Sequence, residues 1–160
     1  MRQSTTARST PDGTGEQVKN GAPRPAGSEV PASQIFQSTF LADPLRVPEM
    51  RRATRDFMRH LRVPGPKVDD VELAVSELVT NAIQHGGSEG EVSLYISAVN
   101  NMVRISVTDQ NPDRATLKRA DTDAESGRGL ALVAAIADCW DTSEDGTTVH
   151  CSLALPERVA

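Results

Sequence analysis

Between Val68 and Ile83 the chain places Val71, Ala74, Val75, Leu78, Val79, Ala82 and Ile83 at the three- and four-residue spacings of a helix. So broad an aliphatic face must be covered by other elements. The sequence supplies such cover a few residues later. "EVSLYISAV" and "MVRISVT", about Glu91 to Val99 and Met102 to Thr108, alternate apolar and polar residues, as strands with one buried face do. Asn100 and Asn101 stand between them, and asparagine tolerates positive φ, so the pair predicts a tight antiparallel hairpin.

Other elements follow by the same reasoning. "QIFQSTFLAD" suits a first strand beginning near Gln34. A helix is expected from Pro48 to Leu61, with Met50, Ala53, Phe57, Met58 and Leu61 inward and Arg51, Arg52, Arg55 and Arg59 outward. Those arginines are either a solvated face or part of a partner or dimer surface. "VPGP" ends that helix. The next begins near Val68, with Asp69, Asp70 and Glu72 at the positive end of its dipole and Gly86 as a left-handed cap. Residues 109–126 are polar and long enough to suggest a lid or binding loop. "GRGLALVAAIADCW" is apolar nearly all round and reads as a buried helix. Strands are expected near 138–144 and 147–155, joined by a turn at Asp145-Gly146, and Pro156 stops the last one. The order β, α, α, β, β, lid, α, β, β predicts an α+β fold, a two-layer α/β sandwich whose mixed, mostly antiparallel sheet carries helices on one face.

Residues 1–33 hold Pro11, Pro23, Pro25 and Pro31 and no Leu, Ile or aromatic side chain, so they predict a disordered tail. The expected domain is 34–156, with a short tail at 157–160. The whole chain has 160 residues, 38% hydrophobic and 3% aromatic, so one domain with an aliphatic core is expected. Its net charge of -5 argues against direct nucleic-acid binding. The longest apolar run, Leu130 to Ala137, is too short to span a membrane, and no signal-peptide pattern opens the chain. Cys139 and Cys151 form no metal motif and read as reduced, mostly buried thiols of a cytoplasmic protein.

One row of polar residues is not explained by packing. Glu77, Asn81 and His85 fall at i, i+4 and i+8, a stripe along the border of the apolar face. Taken alone, such a stripe marks a solvent edge. Here it stands beside Asp109 at a strand end, Gly127-Arg128-Gly129 at a helix start that can face an anion, and the strand residues Thr147 and Thr148.

In that order the motifs resemble the GHKL nucleotide-binding domains, and more narrowly the anti-sigma-factor serine/threonine kinases of actinobacteria. "SELVTNAIQHG" is similar to the N-box, "GRGLALVAAIAD" to the second glycine box and "GTTVHCSL" to the last strand. The resemblance implies ATP and Mg²⁺ as cofactors. It implies Asn81 as the Mg²⁺ ligand, Glu77 as the general base and Asp109 as the partner of the adenine amine. Gly127, Arg128, Gly129 and Leu130 would lie along the phosphates, and Thr148 would assist at adenine. His85 would order the helix end. The implied partners are a sigma factor and an anti-sigma-factor antagonist, and a homodimer is implied as well. In one respect the chain departs from the family: Asn111, Pro112 and Asp113 occupy the first glycine box. Two readings therefore stay open, a kinase or a GHKL-fold module that sequesters a partner without phosphotransfer.

Overall fold

The computed structural model describes residues 33–86, 89–110 and 125–157. The expected N-terminal tail, the end of the C-terminal tail and almost all of the expected lid, with Asn111, Pro112 and Asp113, lie outside the described residues.

The elements are β1 (Gln34–Leu41), α1 (Arg46–His60), α2 (Gly65–His85), β2 (Glu91–Val99), β3 (Met102–Thr108), α3 (Glu125–Ile136), β4 (Cys139–Thr142) and β5 (Thr148–Ala154). The strands form one sheet in the order β1-β2-β3-β5-β4. All four pairings are antiparallel, so the expected mostly antiparallel sheet contains no parallel pair among the described residues. Asn100 and Asn101 have φ of 50° and 59°, the left-handed pair that a two-residue hairpin needs.

Alternation determines which face is covered. Val92, Leu94 and Ile96 of β2, Val103, Ile105 and Val107 of β3, and Val149, Cys151 and Leu153 of β5 point to the helices and are buried. The opposite face carries hydroxyls and an imidazole that pair across strands: Thr39 with Ser93 at 2.9 Å, Ser106 with His150 at 2.8 Å and Thr108 with Thr148 at 2.9 Å. Cys151 lies on the inner face, where burial, and then the neighbouring Cys139, push its thiol up to about 12. Cys139 itself is exposed, contrary to expectation, because it sits on the short edge strand and pairs with Ser152 of the outer face.

α2 lies across β2 and β3 with α1 on one flank and α3 on the other. Val71, Ala74, Val75, Leu78, Val79 and Ala82 are inaccessible to solvent, as the periodicity requires. The helix begins three residues before the expected start. Pro64 is its N-cap and Pro66 falls in the first turn, where a missing N–H is harmless, so "VPGP" starts α2. The preceding stop is Arg62, at φ 57°, which lets Val63 N–H reach Met58 O and Arg62 N–H reach Arg59 O. The earlier start also leaves no acidic residue in the first turn of α2, so Asp69, Asp70 and Glu72 do not serve its dipole as expected. Gly86 has φ -81° and is not a left-handed cap.

Glu72 instead ties α2 to α1. Its buried carboxylate accepts from Arg55 Nη2 at 2.5 Å and from Arg51 Nε at 3.1 Å. Two of the four arginines assigned to the outer side of α1 are therefore committed within the fold. Burial opposes the charge on Glu72, but the hydrogen bonds from Arg55 and Arg51 outweigh it and hold the carboxyl below the usual carboxylate range.

α3 departs most from expectation. Val133 is buried and Leu130 and Ile136 are partly so, but Ala131, Leu132, Ala134 and Ala135 are exposed. The helix touches α2 and the edge strand β4 along one stripe, and nothing described covers its far side.

Removing the Glu72 charge leaves two guanidinium groups without their acceptor. Glu72→Gln is expected to cost about 1–2 kcal/mol in urea unfolding, the half-exposed arginines limiting the loss. Because the folded carboxyl titrates below its unfolded value, its contribution is present above the ordinary glutamate pKa. It is lost as pH falls through the lowered one. The stability gap between native and variant should close over that acidic window; a gap that is constant with pH would exclude the charge as its source.

Candidate functional site

The expected site residues gather mainly along the C-terminal half of α2. Asn81 is 6% exposed, while Glu77 and His85 are half-buried on the same side of the helix. Asp109 follows the last residue of β3 and is buried; its N–H donates to Thr147 O at 2.9 Å. A Cβ added to Gly86 would come within 3.1 Å of Asp109 Cβ, so the absent side chain lets the end of α2 close onto Asp109. At the other end of the row, the Glu77 carboxylate lies against Gly129 of α3. A Cβ on Gly129 would overlap Glu77 Oε2 and approach its Cδ to 3.4 Å.

The layout is linear. Asp109 stands by Gly86, Asn81 lies between, and Glu77 meets α3. From Gly86 to Glu77 the helix advances about 13 Å at its usual rise. Gly127 and Arg128 fall within the first turn of α3, whose leading N–H groups have no acceptor within the helix. The glycines were expected at the start of that helix, and they fall within its first two turns, beginning two residues after its first residue. Arg128 is exposed, and Leu130 is half-buried against the core.

Asn81 tests whether these residues fit a metal–nucleotide group. Its Nδ2 is buried with no hydrogen-bond partner among the described residues. Such an orphan costs about 1–3 kcal/mol in a sealed interior, a penalty that a site awaiting a polar ligand would relieve. An amide oxygen is also a hard donor of the kind Mg²⁺ accepts. The amide thus fits the group on both sides, its oxygen as the donor for a hard cation and its unpartnered N–H for a phosphate oxygen as acceptor. No cluster of three or more His, Cys, Asp or Glu side chains placed to hold a metal occurs among the described residues.

Thr148 does not join the site. It pairs with Thr108 in the register, and its hydroxyl contacts the Thr108 hydroxyl on the sheet face away from the helices. Thr147 is the residue opposite Asp109. Its own hydroxyl donates to Asp145 Oδ1 at 2.8 Å, and hydrogen bonds from Ser143 and then Thr147 hold the Asp145 carboxyl below its usual range. The signal for Thr148 was present in the sequence: Val149 and Cys151 are the apolar, inward positions of the strand, so Thr148, between the turn and Val149, alternates to the outer face. A separate cavity of about 560 Å³ opens at the far end of the sheet, between Val63 and Pro64, the Asn100-Asn101 turn and Leu155, and includes none of the expected site residues.

Residues 40–153 match the histidine kinase-like ATPase domain, and the chain belongs to that family. Its fold is similar to the crystal structure of the RsbU and RsbW domains of Rv1364c from Mycobacterium tuberculosis, at TM-score 0.60 and 22% identity. The match covers 79% of this chain and 34% of that one, so this chain spans about a third of that protein. No curated protein matches the chain. No helix among the described residues is long and apolar enough to cross a membrane.

The placement of Thr148 has a direct consequence. Thr148→Val should leave ATP affinity within about twofold, as a substitution remote from a site does. A tenfold loss in calorimetry would return Thr148 to the site.

Proposed function

We propose that the domain binds ATP with Mg²⁺ and acts as a serine/threonine protein kinase of the anti-sigma type in the cytoplasm. Its substrate in this reading is an anti-sigma-factor antagonist, its alternative partner a sigma factor, and its working form a homodimer. Membership of the histidine kinase-like ATPase family supports nucleotide use, and the RsbW domain in the structural neighbour supports the kinase-type comparison. The observation that carries the reading is the buried Asn81 amide with its unpartnered nitrogen, one helical turn from Glu77 and midway between Asp109 and α3.

Each residue then has a physical task. Asp109, sealed from solvent at one end of the row, would accept from the exocyclic amine of adenine and so discriminate against guanine. Asn81 would hold Mg²⁺, which supplies charge neutralisation at the phosphates. Gly127, Arg128, Gly129 and Leu130 would line the phosphate end, where the start of α3 offers N–H groups and a positive dipole. Glu77 would take the proton of a serine hydroxyl while that oxygen bonds to the terminal phosphorus and ADP departs. Phosphate on the antagonist would change its charge and thereby its hold on the kinase.

A second reading rests on Asn111, Pro112 and Asp113, which replace the side-chain-free residues of the first glycine box. There the protein keeps the fold and sequesters a partner without turnover.

Calorimetry with Mg-ATP on the native chain and Asn81→Ala separates the two. Micromolar binding that drops at least tenfold in the variant, followed by transfer of labelled phosphate to an antagonist, is the outcome expected of the kinase. A folded native chain that ignores ATP would overturn it in favour of the sequestering module.

A further inference from the structure

β5 runs further than the edge strand beside it. The β4 ladder ends at the Thr142–Val149 pair, so β4 supplies no strand partner to Thr147. Side chains of the connecting turn stand in for one. Asp145 Oδ1 accepts from the Thr147 N–H at 3.1 Å, the Thr147 hydroxyl at 2.8 Å and the Ser143 hydroxyl at 2.6 Å. Ser143 Oγ in turn accepts from the Thr148 N–H at 3.0 Å. Gly146, at φ 74°, turns the chain within this cluster, and its N–H donates to Ser143 O at 2.9 Å. One carboxylate oxygen thus gathers three donors and holds Thr147 by its amide and its side chain at once. From the same residue, Thr147 O accepts the Asp109 N–H at 2.9 Å. Asp109 is buried just past β3, between that carbonyl and the end of α2 at Gly86. Its backbone is therefore held by a turn whose geometry an exposed carboxylate determines.

We propose that Asp145 is a positioning residue of the nucleotide site, fixing through Thr147 the angle at which Asp109 meets the amine of adenine. The inference rests on the nucleotide reading of the site and adds a specificity determinant to it. Asp145 acts through Thr147 and needs no contact with the ligand. A hydrogen bond weakens steeply as its angle falls, so the direction of the Asp109 carboxylate matters as much as its presence. Without its anchor, Thr147 shifts and Asp109 shifts with it. Asn81 and the start of α3 stand on other elements and stay in place. Guanine carries a carbonyl where adenine has the amine, so a misplaced Asp109 weakens ATP binding and spares GTP binding.

The test reads base preference rather than affinity alone. Mg-ATP is titrated by calorimetry into the native chain, Asp145→Ala and Asp145→Asn, and Mg-GTP is measured by its competition with ATP. Circular dichroism confirms that each variant is folded. The alanine variant should bind ATP about three- to tenfold more weakly, the net contribution of one hydrogen bond. Its GTP affinity should not change, so the preference for ATP falls by the same factor. Asparagine keeps an acceptor oxygen at that position and should restore ATP affinity and preference to within about twofold of native. An unchanged preference in the folded alanine variant, whether both affinities hold or both fall together, overturns the positioning role and leaves the nucleotide reading standing. So does an asparagine variant as weak as the alanine one. A native chain that binds neither ATP nor GTP removes the nucleotide reading, and the inference falls with it.

Discussion

The burial of α2 governs the rest of the molecule. Flanked by α1 and α3 and laid across the central strands, it is covered along most of its length, and six of its aliphatic residues see no water. A polar side chain in that position must be matched or must be waiting for a match. Glu72 is matched by two guanidinium groups from α1, which fasten the helix near its beginning. Asn81, further along, is left with one buried group unsatisfied. The same helix is thus anchored at one end and chemically unsaturated toward the other.

How much was legible in the sequence depended on whether local pattern or tertiary surroundings decided the outcome. The hairpin strands β2 and β3 fall at the expected residues because valine and isoleucine alternate strictly and two asparagines mark the turn. The helix row was legible because the period of a helix is fixed. α3 was misread because alanine is at home both in a core and on a surface; its exposure is set by how few elements reach it. The start of α2 was misread because a proline pair can stop one helix or start the next, and Arg62 had already provided the stop.

The placement of the candidate residues was legible for some and not for others. Glu77 and Asn81 share one side of α2, as the helical spacing requires, with Gly129 beside Glu77 and Asp109 beside Gly86 at the helix end. Thr148 is the first residue of β5, and the alternation that turns Val149 inward turns Thr148 outward. Glu77 resting on Gly129 could not have been read at all. The sequence separates them by more than 50 residues, and only the packing of α3 beside α2 brings a missing side chain opposite a carboxylate.

The sheet ends in two unequal edges. β4 has four residues, too short to register a further strand, whereas β1 offers eight, with Ile35 and Leu41 exposed. Among the described residues, growth by strand addition is therefore one-sided. A second copy paired antiparallel along β1 would use up that edge in both molecules at once and leave only the short strands outermost. Such an association closes on itself about a two-fold axis and has no open end from which a filament could extend.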